Sequence, residues 1–172
     1  MKENNPMKPQ FFALAETSIV NTDGKTRTLD DILDEADNRD TVLRFTNKGT
    51  FAPSHILDVT PDDEAEGIKV VTVTLFSGEE FTLLEGTLIL ASDNNWVNIS
   101  DKKPGDGIKT LTYNPSVRHP QLTPKVIAKV EAKTLAFAPV VSFDISPADN
   151  FLLSVSTDES ISLLVPICPK QL

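Results

Sequence analysis

An all-β domain with one short helix is the fold class this sequence predicts, and three observations carry it. Strand-length runs rich in β-branched residues recur along the chain, turn residues separate them, and only one stretch has helical periodicity. Residues 69–75, KVVTVTL, are the clearest strand. Ser77-Gly78 then makes a tight turn, and the apolar pattern resumes at 81–84 and 87–90, so the segment reads as a hairpin or meander.

In chain order, MKENNPMKPQ at 1–10 is a polar leader with no hydrophobic centre, and strands are expected at 15–20 and 42–45. Between them, LDDILDEA at 29–36 puts Leu29, Ile32, Leu33 and Ala36 on one helical face, with Thr28 as N-cap and acids in the first turn. Further strands are expected at 96–99, 108–113, 126–131, 138–145 and 151–156. Pro53, Pro61, Pro104, Pro115, Pro120 and Pro124 mark loops, and Pro166 and Pro169 give the last residues a tail-like character. The run holding Ile161, Leu163, Leu164, Val165 and Ile167 reads either as a buried final strand or as one that pairs with another chain. The organisation is then a leader at 1–10, a β domain at 11–160 and a terminal strand or tail at 161–172.

With 172 residues, 40% hydrophobic and 24% charged, the chain can bury one full core. No apolar run approaches the roughly 20 residues that span a bilayer, so a soluble cytoplasmic protein without membrane contact is expected. Cys168 is the only cysteine, which excludes an intrachain disulfide and a thiolate metal cluster. Neither a P-loop nor G-x-G-x-x-G occurs, so no nucleotide is indicated, and no cofactor is expected. The nine phenylalanines mostly alternate with other apolar residues in strands and read as core.

The net charge of −9 is placed unevenly. Asp30, Asp31, Asp34, Glu35, Asp37, Asp40, Asp58, Asp62, Asp63, Glu64 and Glu66 face only Arg39, Arg44 and Lys48 in the same stretch. Such a field repels phosphate and argues against direct nucleic-acid binding. It fits a docking surface for a basic protein, a mimic of nucleic-acid charge aimed at a DNA-binding protein, or simply solvated loops and a helix end.

Catalytic constellations are thin. His55 and His119 lie in proline-containing segments beside Ser54 and Ser116, but no G-x-S-x-G elbow accompanies them, and surface-loop histidines are the plainer reading. A metal held by His55 with Asp58, Asp62 and Asp63 would lack the glycine and ligand spacing of a calcium loop. Paired carboxylates for glycoside chemistry stay open, although aromatic platforms for sugar are few. Trp96 reads as a partner anchor or as a ring covering one end of a barrel.

Four segments, in order, resemble the frame of a self-splicing Hint (hedgehog/intein) domain. Thr17, Ile19, Val20, Asp23-Gly24 and Leu29-Asp30-Asp31-Ile32 fit the opening block, Val73, Leu75 and Gly78 the central hairpin, Trp96 with Gly105-Asp106 the next, and Val141, Phe143, Asp144, Ile145 and Asn150-Phe151 the closing block. The resemblance implies a pseudo-symmetric β-horseshoe. It also places Phe12 where the family has its nucleophile, Leu84 and Thr87 where it has the threonine and histidine that polarise the scissile amide, and Asp149 where it has a histidine. A phenyl ring has no lone pair to attack with, and neither Leu84 nor Thr87 can protonate a leaving amide. No asparagine lies between Phe151 and Leu172 to serve as the family's terminal residue.

The expectation is therefore a domain of viral or mobile-element type, without splicing activity, that binds a basic protein through its acidic surface. The alternatives are residual self-cleaving or hydrolytic activity using Ser or Thr with His55 or His119, and an oligomeric structural (viral) component.

Overall fold

The structure is a computed structural model of the chain, and it describes residues 10–35, 39–62, 66–112, 121–147, 150–155 and 163–171. Fifteen strands, one α-helix and one short 3-10 helix (Ile99–Asp101) are assigned among the described residues. The strands are β1 (Phe11–Leu14), β2 (Ser18–Val20), β3 (Thr26–Thr28), β4 (Arg39–Phe45), β5 (Phe51–Pro61), β6 (Ile68–Leu75), β7 (Glu80–Leu84), β8 (Leu88–Leu90), β9 (Trp96–Asn98), β10 (Gly107–Thr112), β11 (Thr123–Leu135), β12 (Val140–Ser146), β13 (Phe151–Ser154), β14 (Leu163–Cys168) and β15 (Lys170–Gln171). The helix, α1 (Leu29–Leu33), follows β3.

Two sheets hold these strands, one in the order β15-β1-β12-β5-β4 and the other β3-β2-β13-β14-β10-β11-β6-β7, with the β8–β9 hairpin joined to β14. The order contains a repeat. The path β1-β12-β5-β4 in one sheet is matched by β7-β6-β11-β10 in the other, and β2–β3 is matched by β8–β9. Turn geometry repeats as well: Asn21 N–H donates to Lys25 O at 2.8 Å and Ala91 N–H to Asn95 O at 2.8 Å, while Thr17 and Thr87 donate to Leu14 O and Leu84 O at 3.0 and 3.1 Å. Gly24 and Asn94 hold the same left-handed turn position, with φ of 86° and 69°. The expected pseudo-symmetric horseshoe is thus present.

The helix starts as the sequence predicts. Thr28 accepts from the Asp31 N–H, and the Asp31 carboxylate accepts from the Thr28 N–H, a reciprocal capping box. Leu29 and Ile32 point into the core. The helix ends at Leu33 instead of running to 36, because Asp34 already caps it; Ala36 lies outside the described residues. The strand expected at 15–20 is likewise broken. The Thr17 N–H turns back to Leu14 O, which separates β1 from β2.

Four prolines read as loop or tail markers, Pro53, Pro61, Pro124 and Pro166, lie inside strands. Each is paired where a neighbouring ladder stops short. Pro53 faces Leu43 of β4 beyond the end of the β12 ladder, and Pro61 faces Val141 of β12 beyond the end of the β4 ladder. Pro124 faces Lys109 before the β6 ladder begins, and Pro166 faces Leu152 opposite the gap between β10 and β8. With a partner on one side only, the missing N–H costs the sheet nothing.

The main core gathers Phe11, Phe143 and Phe151 with Ile19, Leu29, Val141, Val165 and Ile167, so residues from both chain ends share it. Phe143 lies 6.2 Å from the Phe11 ring and packs edge-on to Phe151 at 6.3 Å. Two phenylalanines depart from the core reading: Phe76 is 73% exposed and Phe137 92%. No helix among the described residues is long and apolar enough to cross a membrane.

Because Phe151 is fully buried, Phe151→Ala is expected to cost about 3–5 kcal/mol, seen as a lowered urea midpoint with an unchanged slope.

Candidate functional site

Phe12 lies in the interior of its sheet, one strand from the edge, because strands from the far end of the chain flank it on both sides. It pairs with Ser142 of β12 and with Lys170 of β15. Its half-buried ring packs against the cluster of Leu14, Ile68, Val70, Leu84 and Val140. A cleft of about 460 Å³ opens beside it, lined by Phe12, Leu84, Ile68 and Val140 and rimmed by Asp62, Glu66, Glu85, Lys69 and Lys170. The Lys170 stem lies over Gly86, where an added Cβ would meet Lys170 Cγ at 3.1 Å. Gly86 sits at φ 97°, a left-handed conformation that favours glycine, and an added Cβ would press on the lysine stem.

Positions 12 and 84 are therefore brought to one cleft, though far apart in sequence. Thr87 is buried just behind, its N–H on Leu84 O at 3.1 Å and its carbonyl accepting from Ile99 N–H at 2.9 Å. Asp149 lies outside the described residues. Its neighbour Asn150 is buried and bonds the β4 end in both directions: its amide nitrogen donates to Phe45 O at 2.8 Å, and its oxygen accepts from Phe45 N–H at 2.9 Å. Asp144 carries a buried carboxylate oxygen with no hydrogen-bond partner among the described residues. Lys69, Glu85 and Lys170 line the cleft without having been singled out from the sequence. The pairing of β15 with β1 is the signal for Lys170, and no local pattern carries it.

Phe12 and Leu84 give the cleft a hydrocarbon wall, and its rim carries both signs of charge, Lys69 and Lys170 beside Asp62, Glu66 and Glu85, which suits a polar main chain or a charged side chain.

Strand geometry separates Ser54 from His55. Successive side chains on a strand face opposite ways, and in β5 Ser54 is buried while His55 is exposed. Ser54 Oγ turns to Ser146 O and Pro147 O, both at 3.4 Å, and His55 Nδ1 lies 3.4 Å from Thr41 Oγ1. The two cannot act as a dyad, and His55 sits on a strand where a loop was expected. Ser116 and His119 lie outside the described residues. No three His, Cys, Asp or Glu side chains converge among the described residues.

The acidic stretch divides on folding. Asp30, Asp34, Asp58 and Glu66 are exposed, Asp62 is half-buried at the cleft, and Asp63 and Glu64 lie outside the described residues. Arg27 binds both Glu35 and Asp40, and these partners, the Glu35 hydrogen bond foremost, raise its pKa. Asp31 is committed to the helix cap. The Thr28 N–H holds its carboxylate below the usual range. Trp96, 37% exposed, lines a second hollow with Arg44, Phe45, Asn47, Leu90 and Leu122.

No protein-family model matches the sequence, and no curated protein does. Solved structures match along nearly the whole chain. A DnaB intein from Synechocystis sp. is similar at 13% identity and a TM-score of 0.61, over 90% of this chain and 98% of that one. The transcription factor IIB Mvu mini-intein matches at 11% and 0.62, over 90% and 99%. A bacterial intein-like domain from Clostridium thermocellum matches at 19% and 0.57, over 92% and 99%.

Two outcomes are expected. Asn150→Ala should destabilise the protein by about 2 kcal/mol in chemical denaturation, because the Phe45 N–H and C=O lose their partners. Asp31 has a folded pKa below its unfolded value, so its contribution is complete above about pH 4 and is lost as pH falls through the lower folded value. Asp31→Asn should lower the melting temperature at pH 7 and leave a shallower acid limb than the parent. The pairing order, the repeated half and the structural matches together give this chain the intein-type Hint fold.

Proposed function

We propose that this chain is a non-splicing Hint-like domain that binds a protein partner carrying a basic surface. The observation that carries the first half is the cleft itself. Phe12 and Leu84 line it together, so the position of the missing nucleophile and that of the missing polarising threonine meet as hydrocarbon. The backbone of Phe12 is held by β12 and β15 on either side.

Charge supports the second half. The exposed carboxylates of Asp30 and Asp34 are not consumed by the Arg27 network, and Asp62, Glu66 and Glu85 stand at the cleft mouth. Lys69 and Lys170 offset part of that charge, so a partner that enters the cleft needs both signs, while one that docks on α1 needs lysine or arginine.

Purified chain held at neutral pH for days, with and without added thiol, should keep a single intact mass. Fragments breaking near residue 12 or 151 would overturn the non-splicing reading. For the docking surface, capture of the host partner should weaken as salt rises and should weaken further in Asp62→Asn/Glu66→Gln, because exposed charges are screened over about 8 Å at physiological ionic strength. Binding indifferent to both would refute an acidic interface.

A further inference from the structure

We infer that this chain forms a symmetric dimer through the free edge of β11. One edge of β11 is paired to β6 from Ile127 to Leu135. The other is paired to β10 only from Thr123 to Val126, after which Gly105 N–H and Asp106 O hold Ile127. From Lys129 to Leu135 no described strand lies on that edge. Alternate backbone N–H and C=O groups point out along it, which is a template for another strand.

The sequence of this edge, KVEAKTL, is complementary to itself. An antiparallel pairing centred on Ala132 puts Glu131 of each copy opposite Lys133 of the other, Val130 opposite Thr134 and Lys129 opposite Leu135. Glu131, Lys129 and Lys133 share one face of the strand, since Glu131 is within 3.7 Å of the Lys129 amine and 3.5 Å of the Lys133 amine. Two cross-strand ion pairs therefore form across the two-fold, both on the same face. A one-residue slip would put Lys133 against Ala132 and lose both.

Exposed apolar side chains lie beyond both ends of this open edge. Four large hydrophobic residues among the described ones are notably exposed, and Phe76, Val126 and Phe137 are three of them. Phe76 and Val126 are neighbours, Phe76 N–H donating to Val126 O at 3.0 Å. The edge is the same on both copies, as a two-fold interface requires. The partner this edge fits is thus a second copy of the chain. The interface adjoins the cleft, since Leu135 pairs with the cleft-lining Ile68, and leaves α1 free.

Sedimentation equilibrium of the full chain from micromolar to hundreds of micromolar should give a monomer–dimer equilibrium on the 18.8 kDa mass. Glu131→Lys and Lys133→Glu, each alone, should raise the dissociation constant at least about tenfold, by turning two attractive pairs repulsive. The double swap Glu131→Lys/Lys133→Glu should restore it. Ala132→Cys in a Cys168→Ser background should yield a disulfide-linked dimer under mild oxidation. A monomer throughout the range, or a dimer that ignores the single swaps and fails to cross-link at 132, overturns the proposal.

Discussion

The pairing of β1 between β12 and β15 is the constraint on which this structure rests. Phe11 to Leu14 lie opposite Val140 to Phe143, and Phe11 and Phe12 lie opposite Lys170 and Gln171. The opening strand is thereby held by two strands from the last third of the chain, and the Phe11–Phe143–Phe151 contact forms beneath it. Closing so long a loop is entropically costly, and hydrogen bonds alone do not offset it. The burial of those three rings with the β13–β14 hairpin supplies the main opposing term.

From that closure follows the cleft. Once β1 and β12 are joined, the repeated half places β7 and β6 in the matching position, and Leu84 at the end of β7 meets Phe12. A fold that brings two distant strand ends to one point is suited to a reaction between them. Here a phenyl ring and a leucine meet at that point, and Lys170, Lys69, Glu66 and Asp62 surround it. The scaffold and the chemistry are separable, because strand pairing depends on the backbone and the reaction on a handful of side chains.

The same separation explains the uneven legibility of the acidic stretch. As sequence, its eleven carboxylates look like one surface. In the fold, Asp31 becomes part of a helix cap, Glu35 and Asp40 bind Arg27, and Asp62 and Glu66 move to the cleft rim, far along the chain from α1. What remains on α1 is a smaller field at Asp30 and Asp34.

Local chemistry was enough to read much of this protein. The β6–β7 hairpin, the Thr28 cap and the order of the blocks around Thr17, Gly78, Trp96 and Asp144 are all set by residues close together in sequence, where alternation and turn propensity act directly. The prolines misled because a missing N–H matters only if a neighbour needs it, and which neighbours β5 and β14 have is decided by strands from elsewhere in the chain. The repeat relating Thr17 to Thr87 is carried in the sequence too, since Leu14, Thr17, Ile19, Asp23 and Asp31 recur at one constant spacing as Leu84, Thr87, Ile89, Asp93 and Asp101. Only tertiary structure could decide that Lys170 reaches Phe12, that Ser54 and His55 face apart, and that Lys129 to Leu135 have an open edge, because each depends on which backbone lies across the strand, and no side chain on its own strand encodes that.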